Sequence, residues 1–336
     1  MILGTNEKNR IIEEVEAFEK ERKSLISDVM HQVEFLEFGP TTYTEKTRAV
    51  IKVQDGCDRF CSYCIIPYAR GRVRSRKKED VLLEINKIAK LGIKEVVITG
   101  IHLASYGKDF ENPNALIELL NDINKIEGIE RIRLGSLEPT LMTEEFITPL
   151  SKLEKICDHF HLSLQSGCDE TLKRMNRRYS CEEFEKGTAL LRKAFPNVSL
   201  TTDIIVGFPG ETEEEFRKTE EFLRKVNFYK MHIFKYSKRR GTKAASMPNQ
   251  IPSEIQEQRS KILRNLSNEN EKKMHEMYIG KEAKVLWEEK EKGYWKGHTT
   301  NYMIVKMMSN EEKENKIEKV KITKNEGEFL IAKKEN

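Results

Sequence analysis

From Thr47 to about residue 277, short apolar or β-branched runs alternate with helix-length amphipathic stretches. That alternation narrows the fold to repeated strand-helix units around a parallel sheet. The expected strands are 47–54 (TRAVIKVQ), 94–99 (KEVVIT), 130–135 (ERIRLG), 159–165 (HFHLSLQ), 199–206 (SLTTDIIV) and 229–236 (YKMHIFKY). Helices are expected near 79–91, 114–126, 143–154, 181–194 and 212–226, the last opened by Glu211-Thr212 before an acidic first turn. A long charged helix follows near 253–277. Six such units make a partial (β/α)6 barrel, an α/β fold.

The flanks read differently. Residues 1–44 suggest a helix with apolar positions Ile11, Ile12, Val15 and Phe18, then an irregular connector through Gly39-Pro40, too small to fold alone. After residue 278 only short strand patterns remain: 282–287, 293–298, 302–306, 316–323 and 328–332. They predict a small all-β module closed into a barrel. The expected division is therefore 1–44, 45–277 and 278–336.

Strand 159–165 is the most informative of the six, because alternate residues of a strand face opposite sides. His159, His161, Ser163 and Gln165 share one face, and Phe160, Leu162 and Leu164 share the other. An interior strand with one polar face predicts a lumen that holds a ligand; the alternative is an edge strand with one wet face.

Each expected strand is followed by an unusual loop. The first carries Cys57, Cys61 and Cys64, spaced C-x3-C-x2-C. The later loops carry Thr99-Gly-Ile-His102, Gly135-Ser-Leu-Glu-Pro139, Ser166-Gly-Cys168, Gly207-Phe-Pro-Gly-Glu211 and Ser237-Lys-Arg-Arg-Gly-Thr242. All lie at carboxyl ends of strands, where parallel barrels carry their active sites. Three thiolates can hold three irons of a four-iron cluster and leave the fourth open, which suggests a catalytic metal centre. Structural zinc or reduced thiols are the alternatives, but zinc wants four ligands, and Cys157, Cys168 and Cys181 are scattered. Glu138 suits recognition of a cofactor's amino or ribose groups, or else a cap or salt bridge. His102 is either a substrate contact or incidental.

Composition sets outer limits. Hydrophobic content of 38% with 34% charged residues describes a globular chain, and no apolar run approaches a membrane span. The first ten residues reach charge too soon for a signal peptide, so the expected location is cytoplasmic with no membrane partner. Six cysteines, three of them within eight positions, fit metal binding better than a disulfide scaffold. The net charge of +4, from 59 basic and 55 acidic residues, does not by itself argue for nucleic acid. Local clusters do: Arg70, Arg72, Arg74, Arg76, Lys77 and Lys78; Lys173, Arg174, Arg177 and Arg178; Lys235, Lys238, Arg239, Arg240 and Lys243. Set around one mouth, with Tyr68, Tyr179 and Tyr236 interleaved for base stacking, they predict an RNA substrate. The 13 lysines and 11 glutamates of 278–336 make no such case for the small module.

The cysteine spacing after the first strand of a six-unit barrel resembles the radical S-adenosylmethionine superfamily. Within it, QDGCDRFCSYCIIPYARGRVRSR, TGIHLASYG, RIRLGSLEP, HFHLSLQSGCDETLKRMNRRYS, TTDIIVGFPGETEEEF and FKYSKRRGTKAA resemble the methylthiotransferases, above all the branch acting on threonylcarbamoyladenosine beside the tRNA anticodon. The resemblance covers residues 45–270, and the C-terminal module is similar to the family's RNA-binding TRAM domain.

It implies that Cys57, Cys61 and Cys64 ligate one [4Fe-4S] cluster whose open iron chelates S-adenosylmethionine. One electron would then release a 5′-deoxyadenosyl radical that takes hydrogen from C2 of the adenine, where a methylthio group is installed. Gly100, Glu138, Ser163, Gln165, Ser166 and Gly207 fall in regions that resemble cofactor-contacting ones. The expected RNA contacts are Arg70, Arg72, Arg74, Arg76, Arg177, Arg178, Lys238, Arg239 and Arg240. The expected partners are tRNA and a reductase electron donor such as flavodoxin or ferredoxin. Family members also carry an N-terminal domain whose three cysteines hold an auxiliary [4Fe-4S] cluster that delivers sulfur. No cysteine precedes Cys57 here, and Met1–Lys8 resembles that domain's tail, so the expectation is a truncated chain deficient in sulfur insertion. The alternatives are a methylthiotransferase for isopentenyladenosine or a ribosomal protein, and a non-catalytic RNA-binding remnant.

Overall fold

The computed structural model describes residues 2–17, 24–32, 34–37 and 47–334. Phe18 and the Gly39-Pro40 connector lie outside them. At the N-terminus Ile2–Leu3 (β1) pairs in parallel with Ser24–Leu25 (β2), and Ile11–Ala17 (α1) lies between them in the chain. Ile11, Ile12 and Val15 stand exposed, so among the described residues they form no buried stripe.

The repeating units follow in order. They are Arg48–Asp55 (β3), Ile66–Arg70 (α2), Arg74–Ser75 (β4), Lys78–Lys90 (α3), Glu95–Gly100 (β5), Ala115–Asn124 (α4), Arg131–Leu134 (β6), Glu144–Leu150 (α5), His159–Gln165 (β7), Asp169–Arg174 (α6), Cys181–Ala194 (α7), Ser199–Val206 (β8), Glu213–Val226 (α8), Lys230–Lys235 (β9) and Ser253–Glu276 (α9). β3, β5 and β6 run parallel, with β4 added antiparallel at the β3 edge; β7, β8 and β9 form a second parallel set. The two sheets meet at Leu137, whose N–H donates to His161 O at 2.8 Å and whose carbonyl accepts from Ser163 N at 3.0 Å. Six parallel strands thus form an open half-barrel, as the alternation implies.

Two helices begin on capping boxes written in the sequence, Ser180 with Glu183 and Thr212 with Glu215, each pair satisfying otherwise orphaned N–H groups. The outward faces of the strands and the inner faces of the helices share one core, with Ile51, Ile98, Phe160, Leu162, Phe184 and Leu223 fully buried.

Glu282–Glu291 (β10), Tyr294–Thr299 (β11), Ile304–Met308 (β12), Ile317–Asn325 (β13) and Leu330–Lys334 (β14) close a separate five-stranded barrel around Trp287, Trp295 and Val305. This barrel seals the amino-terminal end of the half-barrel. Arg131 donates to the carbonyls of His298 and Lys284 at 3.0 Å each, Arg133 donates to Thr300 O at 3.0 Å, and Glu95 lies between them, 2.9 Å from Arg133. Tyr302 stacks between His159 and His298, at ring separations of 4.9 and 4.7 Å, with Arg133 4.6 Å from its centre. The polar face of β7 therefore serves two ends: His159 belongs to this joint, while Ser163 and Gln165 lie toward the opposite mouth. No helix of the described residues is long and apolar enough to cross a membrane.

Candidate active site at the cysteine loop

β3 ends at Asp55, and the chain turns at once into the cysteine loop. Gly56 makes that turn with φ +70°, where a Cβ would fall 1.7 Å from the Arg72 carbonyl oxygen, so only glycine fits. The loop closes on itself through Cys57 N to Gly71 O at 3.0 Å. Buried Gln54 donates to the carbonyls of Asp55 and Gly56 at 2.6 and 2.7 Å and accepts from His102 N at 2.7 Å, tying the loop to the end of β5.

The segment after α6 clamps the other side. Ser62 N donates to Met175 O at 3.0 Å, Ser62 Oγ donates to Arg174 O at 2.8 Å, and Ala244 N donates to Ser62 O at 2.7 Å. Asn176 and Phe60 both take left-handed backbone, and the Asn176 amide donates to the Arg59 and Phe60 carbonyls at 3.3 and 2.9 Å. Loops from three parts of the half-barrel thus converge on the cysteines.

Charge is arranged around the thiols. Arg177 Nη1 lies 3.3 Å from Cys61 Sγ, and its other nitrogens donate to Ser163 O at 3.0 Å and Tyr179 OH at 2.9 Å. Glu138 faces Arg59, His102 Nε2 at 2.9 Å and Arg177 at 3.6 Å. Burial alone would raise its carboxyl, but the hydrogen bond and charge of His102, with Arg177 and Arg59, hold it at about 2. Burial, with help from Cys61, Cys64 and Glu138, pushes the Cys57 thiol up to about 11. Cys64 is raised chiefly by burial, with Arg239 and Arg177 opposing the rise.

All three thiols are free. A thiol that ligates a metal is deprotonated outright, and Arg177, 3.3 Å from Cys61 Sγ, stands close enough to balance the charge. Among the described residues one set of three candidate ligands has its donor atoms within 4.8 Å of one another: His161, Asp203 and His232. The cysteines are spread more widely than the ~3.8 Å between sulfurs on one tetrahedral zinc ion. A cluster that gives each thiolate its own iron fits this donor set. Cys157, Cys168 and Cys181 do not form a second set, since they belong to separate elements and form no such group.

Beside Cys64 opens a cavity of about 530 Å³ lined by Tyr63, Ile65, Gln165, Asp203, Ile205, Phe234, Lys235 and Arg239 among others. Gln165, the last residue of β7, has φ +70°, an uncommon backbone for a long side chain and one that clusters at functional sites.

The other residues singled out in the sequence distribute unevenly. Gly100 packs against Gln54, where a Cβ would meet its side chain at 2.9 Å. Ser163 contributes its carbonyl, to Arg177 and Tyr179. Ser166 is buried against Thr219, and the Gly207 N–H donates to Glu211 Oε2 at 2.7 Å, a carboxylate held by Arg259 at 2.6 Å. Of the basic residues, Arg72, Arg178, Lys238, Arg239 and Arg240 are exposed, and Arg70 is half-buried near Asp55.

Arg74 and Arg76 depart from the expected solvent-facing cluster. β4 extends the sheet at this point, burying Arg74 beside Asp55 and Arg76 between Glu37 and Glu84, so neither faces the mouth. Arg177 also turns inward, its side chain 6% exposed, against Cys61. Tyr179 and Tyr236 are buried too, which leaves Tyr68 alone of the three tyrosines available for stacking. Asp203 and His232 escaped sequence reasoning. Their signal was polar residues at paired register positions of adjacent strands.

The Radical SAM superfamily matches residues 51–223. The chain is 38% identical to the threonylcarbamoyladenosine tRNA methylthiotransferase MtaB of Bacillus subtilis, over 98% of this chain and 76% of that protein. It is also 38% identical to the tRNA-2-methylthio-N(6)-dimethylallyladenosine synthase of Clostridium tetani, over 96% of this chain and 72% of that one. Among solved structures it is similar in fold to the radical S-adenosylmethionine methyltransferase TsrM of Kitasatospora setae, at a TM-score of 0.50 and 20% identity, over 59% of this chain and 36% of that one.

Proposed function

From the premise that the chain belongs to the radical SAM superfamily and, within it, to the tRNA methylthiotransferases, we propose that it acts on N6-threonylcarbamoyladenosine beside the anticodon. Residues 45–277 would be the catalytic half-barrel, 278–336 the TRAM-like RNA-binding barrel, and 1–44 the connector. The observation that carries the reading is the three-thiol loop, clamped at the carboxyl mouth beside a cavity that also receives Gln165 and Arg239.

Cys57, Cys61 and Cys64 would hold one [4Fe-4S] cluster and, when bound, that cluster and S-adenosylmethionine supply the radical chemistry. The chain's own residues do the rest. Arg177 balances thiolate charge and braces the end of β7 through Ser163. Glu138, paired with Arg59, His102 and Arg177, orients those groups behind the cysteine loop. Lys235 and Arg239 give the cavity positive charge that suits the carboxylate of a threonylcarbamoyl group. Exposed Arg72, Arg178, Lys238 and Arg240 suit the phosphates of the anticodon stem-loop. Ile65, Ile205 and Phe234 on the same wall favour a second reading, the apolar dimethylallyl group, and relatives of both kinds are equally similar. No sulfur-transfer step is assigned to these residues, since Cys157, Cys168 and Cys181 do not gather into an auxiliary site.

Anaerobic loading should give about four irons per chain, lost in Cys61→Ala. Reduction with dithionite in the presence of S-adenosylmethionine should release 5′-deoxyadenosine, with tRNA carrying threonylcarbamoyladenosine retained in preference to tRNA carrying dimethylallyladenosine. Zinc whose binding depends on Cys61, or a loaded cluster that never cleaves S-adenosylmethionine, would refute the reading.

A further inference from the structure

The lumen face of the last three strands carries a second group of potential ligands that the cysteine chemistry leaves unused. His161 on β7, Asp203 on β8 and His232 on β9 bring one donor atom each within 4.8 Å of the others. We propose that they form a His2Asp site for a divalent ion of the zinc class, open toward the cavity that Asp203 lines beside Cys64.

The backbone sets the three residues in place. Asp203 and His232 are direct partners across β8 and β9, while His161 is paired to Thr201, two residues before Asp203 on the same face. His161 is already fixed: Nδ1 lies 3.0 Å from Thr201 Oγ1, and Nε2 faces Asp203 Oδ2 at 3.2 Å. A ligating imidazole wants this arrangement, with one nitrogen held by an outer partner and the other free for the ion. Donors around a tetrahedral zinc ion sit about 3.4 Å apart, from metal–ligand distances of about 2.0–2.2 Å. The His161–Asp203 spacing matches that figure, and His232 needs only a side-chain movement.

A plain hydrogen-bonded trio does not account for His232. Its ring lies 5.7 Å from that of His161, and among the described residues no side-chain hydrogen bond holds that ring. Two imidazoles and one carboxylate are a donor set for zinc or ferrous iron with exchangeable positions left over. Those positions would take water or an oxygen donor on the cavity floor.

The test separates this site from the cysteines. The cluster-loaded protein, its thiols occupied by iron, is titrated anaerobically with Zn²⁺ against a chromophoric chelator. One zinc per chain is expected beyond the iron, weakened at least about 100-fold in Asp203→Asn and in His232→Ala, whose exposed position spares the core. In the Cys57→Ser/Cys61→Ser/Cys64→Ser variant, Co²⁺ should show visible ligand-field bands without sulfur charge-transfer absorption. Absence of zinc binding beyond the iron, or zinc binding unchanged in both Asp203→Asn and His232→Ala, overturns the proposal whatever the iron content proves to be. Should the cysteine variant fail to fold, the zinc titration alone decides.

Discussion

Replacing Glu138 by Gln removes the one carboxylate that answers Arg59, His102 and Arg177 behind the cysteine loop. Its side chain is 3% exposed, so solvent screens the interaction little. The interval from its ordinary 4.5 to about 2, at about 1.36 kcal/mol per pH unit, corresponds to roughly 3 kcal/mol of stability at neutral pH. That agrees with the ~3–5 kcal/mol cost of removing one partner of a buried ion pair. The sign follows from the direction of the shift. A carboxyl depressed in the folded protein stabilises it fully above pH 4.5, and the contribution fades as pH falls toward 2. At pH 3 the same two values leave about 1.4 kcal/mol. Urea unfolding of iron-free parent and Glu138→Gln at pH 7 and pH 3 measures the gap, which should narrow by about 2 kcal/mol. A gap that is equal at both pH values, or no gap at pH 7, would show that Glu138 is not held as an anion.

Three further outcomes follow from the same geometry. Gly56→Ala should prevent the loop from closing, because its Cβ would lie 1.7 Å from the Arg72 carbonyl oxygen; iron content after loading should drop well below parent, and parent-like loading would refute this. Arg177→Met should make the cluster harder to reduce, by tens of millivolts, since a positive charge beside Cys61 is removed; an EPR-monitored redox titration reads the sign. Tyr302→Ala should cost about 2–4 kcal/mol at the joint between the two barrels, from lost stacking and cation–π contact. Limited proteolysis near 278–281 should then accelerate, and an unchanged rate would mean that the stack is not what holds the joint.

Much of this architecture was legible because the chemistry of strands is periodic. The strict alternation of HFHLSLQ is met by full burial of Phe160, Leu162 and Leu164 and partial exposure of His161, Ser163 and Gln165. The helix expected near 181–194 is found at Cys181–Ala194, and the one expected near 212–226 starts one residue later, at Glu213, with Thr212 as its cap. Charge was the poor guide. In Arg72-Val-Arg-Ser-Arg76 the arginines look equivalent, yet Arg72 is exposed while Arg74 and Arg76 are buried in ion pairs. Only the antiparallel addition of β4 to β3, a long-range event, decides which arginine goes inside. Arg177 misled for the same reason, since a basic residue near a mouth reads as a phosphate contact until its distance to a thiol is known. Nor did anything local mark Tyr302, in a turn of the small barrel, as the plug of the larger one.

That plug bears on how the proposed substrate could be held. The cysteines lie at the carboxyl ends of the strands and the small barrel is fastened to their amino ends, through Arg131, Arg133 and Tyr302. β8, with eight residues, spans roughly 26 Å between these ends. An RNA touching both the exposed cations of the mouth and the small barrel must therefore run along the outside of the half-barrel. It cannot thread the lumen, whose amino end is filled by the Tyr302 stack. A target base then enters only from the mouth, which requires it to leave its own stack and turn inward. The rigidity of the joint becomes part of positioning, because any slack between the barrels would move the flipped base relative to the cysteine loop.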